Sequence, residues 1–318
     1  MLRLTRRAVL AGGLAIAGAA QAQDRPLHIV LGLPAGASSD TVTRLIAEKM
    51  RVSLGRPVVV ENKPGAAGIV ANLAVKAAAP DGNTLLMTPL ANMVAFPHSY
   101  TKLDYDPFKD YEPVAHIAAF PLALGIGPNV PAKTLAEYVA LARTGGTYAN
   151  FASAATGSLP HFFGILFART AAFPLTHVPY RGTANVLQAL MSGEIPAAIV
   201  PIGDLGSLVQ SGKGRILATS GARRSPQYPD VPTFKESGYD IEGEAWYALF
   251  APKGTPKDVI ARLAAAAIDA IRQPDVRARL EPIGFEPTGL GPAELAAILR
   301  ADYDNWGPII RASGFQAD

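Results

Sequence analysis

The chain of 318 residues has room for one large domain or two medium ones, and 49% apolar with 8% aromatic residues describe an ordered globular protein. It contains no cysteine, which excludes thiol nucleophiles, thiolate metal sites, disulfides and lipoprotein acylation. The formal net charge of +3 is carried by Arg3, Arg6 and Arg7; without them basic and acidic side chains balance, and no basic stripe interleaved with aromatics suggests a nucleic-acid partner.

Residues 1–22 follow those arginines with an apolar run from Ala8 to Ala20 and the small-x-small sequence Ala20-Gln21-Ala22. This reads as an export signal, too short for a membrane span, and predicts a lipid-free periplasmic product. Thr5-Arg6-Arg7 before Val9-Leu10 is twin-arginine-like, so the Sec and Tat routes are both open.

Strand-length apolar runs then recur: 27–32, 57–61, 84–88, 114–120, 122–127, 147–153, 175–180, 197–201, 215–219 and 245–251. Helical patterns lie between them, on Val42, Leu45, Ile46 and Met50, from Leu135 to Ala142, Phe162 to Ala168 and Val186 to Met191, and on Val259, Ile260, Leu263, Ala267 and Ile271. The alternation predicts an α/β fold with mostly parallel sheets. Two irregular passages break it. Residues 104–135 place two strand-like runs back to back around Pro121, and 225–256 is long and rich in Pro and Gly. Together they predict two lobes with two chain crossings: a signal at 1–22, one lobe from 23–121 and 222–318, the other from 122–221. The competing arrangement is one large sheet with long surface loops.

Two turns stand out chemically. In "VLGLPAGASSDTVTRLIAEKM" (30–50) a strand leaves through Pro34, Ala35 and Gly36 and enters a helix at Ser38, Ser39 and Asp40. Free N–H groups and a helix N-terminus make such a turn a ready anion cradle, although Ser38 or Ser39 could equally cap the helix, with Asp40 in its first turn. The turn is neither GxxxxGK[ST] nor GxGxxG, which disfavours nucleotide phosphates. In "YANFASAATGSLPHFFGILFART" (148–170) the same pattern returns through Ser153, Ala154, Thr156, Gly157 and Ser158 toward His161. On the two-lobe reading the turns belong to different lobes, and facing cradles suit a carboxylate or dicarboxylate.

Other candidates are weaker. Ser158 and His161 have a helical spacing that permits contact, but no G-x-S-x-G and no orienting acid accompany them. The histidines are scattered without HExxH, so neither a metal nor a cofactor is expected. Arg181 could fork onto a carboxylate or tie its own loop. Asp204 could cap the following helix or meet an amine on a ligand.

The segments "PAGASSDTVTRLIAEKM", "LGRPVVVENKPGAAGIVANLAVKAAAPDGNTLL", "YDPFKDYEPVAHI", "ASAATGSLPHF", "HVPYRGT", "SGKGRILATSGARRSPQYPDVPTFKESG", "APKGTP" and "PDVRARLEPIGFEP" occur in this order along the mature chain. In them the sequence resembles the substrate-binding proteins of tripartite tricarboxylate transporters, the Bug-type receptors. The resemblance implies a type II, Venus-flytrap fold of two lobes and a monomeric, non-catalytic receptor that hands a small carboxylate to membrane permease subunits. It also implies that the ligand carboxylate meets Pro34 to Asp40 and Ser153 to His161 through backbone N–H groups and water, with Thr88 to Asn92 and Asp204 as further contacts. Segment 88–106 departs from the commoner family wording. A receptor feeding a membrane sensor, or a secreted α/β hydrolase or lyase, are the alternatives; the absent nucleophile elbow, metal set and cysteine weigh against the enzyme.

Overall fold

The computed structural model describes residues 25–36 and 38–317. The export-signal reading of 1–22 lies outside them.

The chain opens on β1 (Leu27–Leu31), whose apolar side chains are buried. α1 (Ser38–Leu54) buries Val42, Leu45, Ile46 and Met50, a stripe at three- and four-residue spacing that faces the core. β2 (Val58–Asn62), α2 (Ile69–Lys76) and β3 (Thr84–Pro89) follow, and a π-helical turn at Ala91–Ala95 leads into α3 (Phe96–Ser99). After β4 (Tyr111–Ile126) come α4 (Leu135–Arg143), β5 (Asn150–Ser153), α5 (Leu159–Thr170), β6 (Thr176–Pro179), α6 (Thr183–Ser192) and β7 (Ala197–Pro201). The chain then forms α7 (Gly206–Gln210), β8 (Arg215–Thr219), β9 (Glu244–Pro252), α8 (Lys257–Arg272), α9 (Pro274–Leu280), β10 (Glu286–Leu290) and α10 (Pro292–Ala312).

β4 organises the architecture. Its first half lies antiparallel between β9 and β10, beyond which run β3, β1 and β2, with β1 parallel to both its neighbours. Its second half lies antiparallel between β7 and β8, and β5 runs parallel to both β7 and β6. One strand thus serves two lobes. This is the two-lobe α/β architecture of type II periplasmic binding proteins. The sheets are mixed and not mostly parallel, because β8, β9 and β10 come from chain that returns alongside β4.

The two runs expected around Pro121 form this single strand. Pro121 still pairs with Glu244 on β9, whereas Leu122 already pairs with Pro201 on β7. A proline without an N–H is tolerated where the partner strands change. The adjacent Leu122 N–H is taken by the Ser220 side chain: Ser220 Oγ accepts it at 2.8 Å and donates to the Gly243 carbonyl at 2.5 Å. The backbone repeats the tie, with Ser220 N–H donating to Leu122 O and Gly243 N–H donating to Ser220 O. Ser220 is fully buried and joins three passes of the chain.

Residues 225–241 pack against the lobe that holds α5. The Phe234 ring lies 5.1 Å from Phe163 and 5.0 Å from Phe167, and Thr233 bridges to Thr219. The other face of that lobe's sheet has a smaller core of its own around Val186, Leu190, Val200 and Leu208.

Candidate ligand-binding site

The turn between β1 and α1 is folded by Asp40. Its carboxylate accepts the Gly36 N–H at 3.0 Å, Arg44 Nε at 2.9 Å and Asn62 Nδ2 at 3.0 Å. Burial alone would raise this acid, but the bonds from Arg44, Gly36 and Asn62 outweigh it and hold the carboxyl below its ordinary range. Asp40 therefore faces inward as a brace, while Pro34, Ala35 and Gly36 are exposed around it. Gly36 has φ +83°, a conformation that favours glycine.

α1 begins at Ser38, so the N–H groups of Ser38 and Ser39 are among those a helix leaves unpaired. Ser39 is 1% exposed, and its hydroxyl has no hydrogen-bond partner among the described residues. The Ser38 and Ser39 hydroxyls both favour ionisation of the Tyr247 phenol on β9, so that ring stands near the start of α1, although no hydrogen bond joins it to Ser39. Tyr247 also feels the charge of Asp204, and burial leads the causes that push its hydroxyl up to about 12. Tyr247 thus joins Ser38 and Ser39 of one lobe to Asp204 of the other, in a seam walled by Phe120 and Phe285 with ring centroids 5.1 and 5.9 Å from its own. The lobes touch here: a Cβ added to Gly203 would lie 1.9 Å from the Ile283 carbonyl oxygen.

The second turn leaves β5 at Ser153, which is fully buried. Ser153 Oγ is 2.7 Å from His177 Nε2 and 3.1 Å from the Ala155 carbonyl, to which Ser158 Oγ also donates at 2.7 Å. Gly157, with φ +76°, donates its N–H to His161 Nδ1 at 3.1 Å. The His161 and His177 rings stack with centroids 4.1 Å apart, and Phe315 closes edge-on over His161 at 5.3 Å. Burial pushes His161 down to about 4; burial and the neighbouring His161 push His177 to about 3. Both rings are neutral at physiological pH. Ala154 lies half-buried and Thr156 exposed in the turn, with no backbone acceptor for the Thr156 or Ser158 N–H among the described residues.

Thr88 lies near the end of β3 opposite Ala248, the residue after Tyr247 on β9. It is 1% exposed and donates to Asn72 Oδ1 at 3.5 Å, while Asn92 donates to the same oxygen and to the Ala67 carbonyl. This polar chain supports the loop after β2, where Ala66 and Ala67 have φ of 44° and 54° and Gly68 packs on Gly32. Non-glycine residues held in this region cost on the order of 1–3 kcal/mol each, and such strain gathers at functional sites.

Comparison with known proteins fits this geometry. The family described as tripartite tricarboxylate transporter family receptor, TctC, matches residues 42–315. This chain belongs to that family. MatC from Rhodopseudomonas palustris, solved with bound malate, is 34% identical and superimposes with a TM-score of 0.80 over 90% of this chain and 99% of its own. A second R. palustris protein, solved with adipate, is 27% identical with a TM-score of 0.84 over 92% and 98%. The periplasmic binding protein BugD is 28% identical with a TM-score of 0.81 over 92% and 99%.

In this TctC-family receptor the titratable groups of the second turn are arranged for support. Ser153 is sealed from solvent, and His177 has no carboxylate partner among the described residues. No group of three or more His, Asp or Glu able to hold a metal occurs among the described residues. Two cavities, of about 400 Å³ beside Gly127 and Tyr148 and about 260 Å³ beside Arg223 and Phe285, are lined by neither turn. Sequence reasoning missed Tyr247, which lies in an ordinary apolar strand run, and the strained loop after β2. The glycines of "PGAAG" were the available signal for that loop.

Proposed function

We propose that this protein is an exported, monomeric, non-catalytic receptor that captures a small organic acid in the periplasm and delivers it to the permease subunits of a tripartite tricarboxylate-type transporter. The observation that carries this reading is the Ser39 hydroxyl, buried and without a hydrogen-bond partner among the described residues, at the N-terminus of a helix of 17 residues. An unpaired buried donor costs about 1–3 kcal/mol, which a bound carboxylate would recover. Orphan helix N–H groups add a favourable dipole, and no competing cation is required.

The remaining contacts follow from the second turn. Thr156 and Ser158 offer N–H groups from the other lobe, Gly157 and His161 hold their backbone in place, and Asp204 closes the seam. We read the lobes as joined along β4 with the return at Gly243, which places 225–241 with the α5 lobe instead of dividing the chain at 221. The malate and adipate of the relatives support a carboxylate ligand, and residues 1–22 support export.

A thermal-shift screen of the mature protein against mono-, di- and aromatic carboxylates tests the reading, because a ligand that binds only the folded state stabilises it by mass action. A hit lost in Ser39→Ala is the expected result. A flat response across the panel would overturn it.

A further inference from the structure

Asp204 is an acid placed where a receptor for acids has least use for one. It follows β7 in the turn Ile202–Leu205. Ile202 and Leu205 are fully buried on either side, and Gly203 is pressed against the Ile283 carbonyl. Asp204 joins no ion pair among the described residues. Thr183, at the start of α6, is near enough to favour its ionised form, and the charge of Asp204 in turn bears on the Tyr247 phenol, which also responds to Ser38 and Ser39 of α1. Burial pushes its carboxyl up to about 6, so at neutral pH it is ionised but poorly solvated.

Such a group discriminates sharply. A ligand carboxylate brought beside it meets like charge in a partly desolvated seam, whereas a hydroxyl or ammonium finds an acceptor with no cation to displace. Resting on the carboxylate-receptor reading, we propose that Asp204 is the specificity-determining residue, and that it selects acids carrying a hydrogen-bond donor, a hydroxyl or an amine, on the carbon chain. The carboxylate is then fixed at the serines of α1, and Asp204 reads the substituent from the opposite lobe. A site that hydrogen-bonds a substituent rejects the analogue lacking it far more strongly than an apolar pocket would.

The test is calorimetry at neutral pH on the mature protein, using matched sets that differ by one group: succinate, malate and aspartate; glutarate, 2-hydroxyglutarate and glutamate; benzoate, salicylate and anthranilate. In the set that binds, the hydroxyl or amine member should bind at least about tenfold tighter than the bare acid. The hydroxyl and amine arms identify which donor is read. In Asp204→Asn that gap should collapse to near parity while the bare acid binds as well as before or better. The wild-type ranking stands even if the variant fails to fold. Equal or tighter binding of the bare acid, or a gap that survives Asp204→Asn, overturns the assignment while leaving the receptor reading intact. Binding of no acid in any set overturns both.

Discussion

Gly157 donates its backbone N–H to Nδ1 of His161, four residues on and 3.1 Å away. That bond fixes the imidazole as an acceptor at Nδ1 and spends an N–H that the bare turn would have offered to a ligand. His161 therefore shapes this turn as an acceptor, and its ring rests on His177, which in turn meets Ser153.

Stability should respond to pH through this stack. In the folded chain His161 and His177 titrate near 4 and 3, against an ordinary value of 6.5. Between pH 6.5 and 4 the unfolded state binds more protons, so stability is full above pH 6.5 and declines as pH falls. His161→Gln, which keeps an acceptor for Gly157, should flatten that decline and cost less affinity than the glycine substitutions. A denaturation series from pH 4 to 8 with the same slope in wild type and variant would contradict it.

Gly36→Val and Gly157→Val should both abolish binding, but they should differ in stability. Each forces a β-branched residue to positive φ, at about 1–2 kcal/mol. A Cβ at Gly36 meets nothing within 4 Å, whereas at Gly157 it lies 3.2 Å from the Phe315 ring. Urea melts should place the Gly157 variant below the Gly36 variant. Normal calorimetric affinity in both would sink the two-cradle reading.

Asp40→Ala removes an acceptor shared by Gly36, Arg44 and Asn62. The acid is nearly buried, and its charged hydrogen bonds suggest a loss of about 1–3 kcal/mol. The expected signature is lower carboxylate affinity from a disordered first turn, with heat capacity of unfolding unchanged. Affinity equal to wild type would show that the brace is dispensable.

Ser220→Ala leaves the buried Leu122 N–H without its acceptor and Gly243 without its side-chain donor. A destabilisation of about 1–3 kcal/mol is expected. Scattering should also show a broader range of lobe separations without ligand and recovery of a compact form with it, as closure around ligand requires. An unchanged melting curve would remove Ser220 from the hinge.

Much of this was legible in the chain itself. The runs 197–201 and 215–219 coincide with β7 and β8, because buried strands without polar alternation show as uninterrupted apolar stretches. The two turns were visible because glycine and serine clusters follow such runs directly. Pro121 misled, since whether a proline ends a strand depends on partners far away in sequence. Residues 147–149 were read as strand but form a 3-10 turn before β5, where Gly145 and Gly146 at positive φ start the chain on another course. The helices α2, α3, α9 and α10 and strand β10 were not anticipated; β10 contains Pro287 and Gly289, which strand patterning disfavours. Tyr247, Ser220 and the donors to Asp40 matter through contacts the local sequence does not display.

The continuity of β4 bears on how the molecule comes apart. A strand of 16 residues that supplies the central ladder of both lobes cannot lose one set of partners and keep a native course through the other. Melting either half exposes the shared strand and the Ser220 tie together, so the lobes are bound into a single cooperative unit despite their separate cores. One calorimetric peak, with van't Hoff and measured enthalpies in agreement, is the expected thermal signature of two lobes that unfold as one.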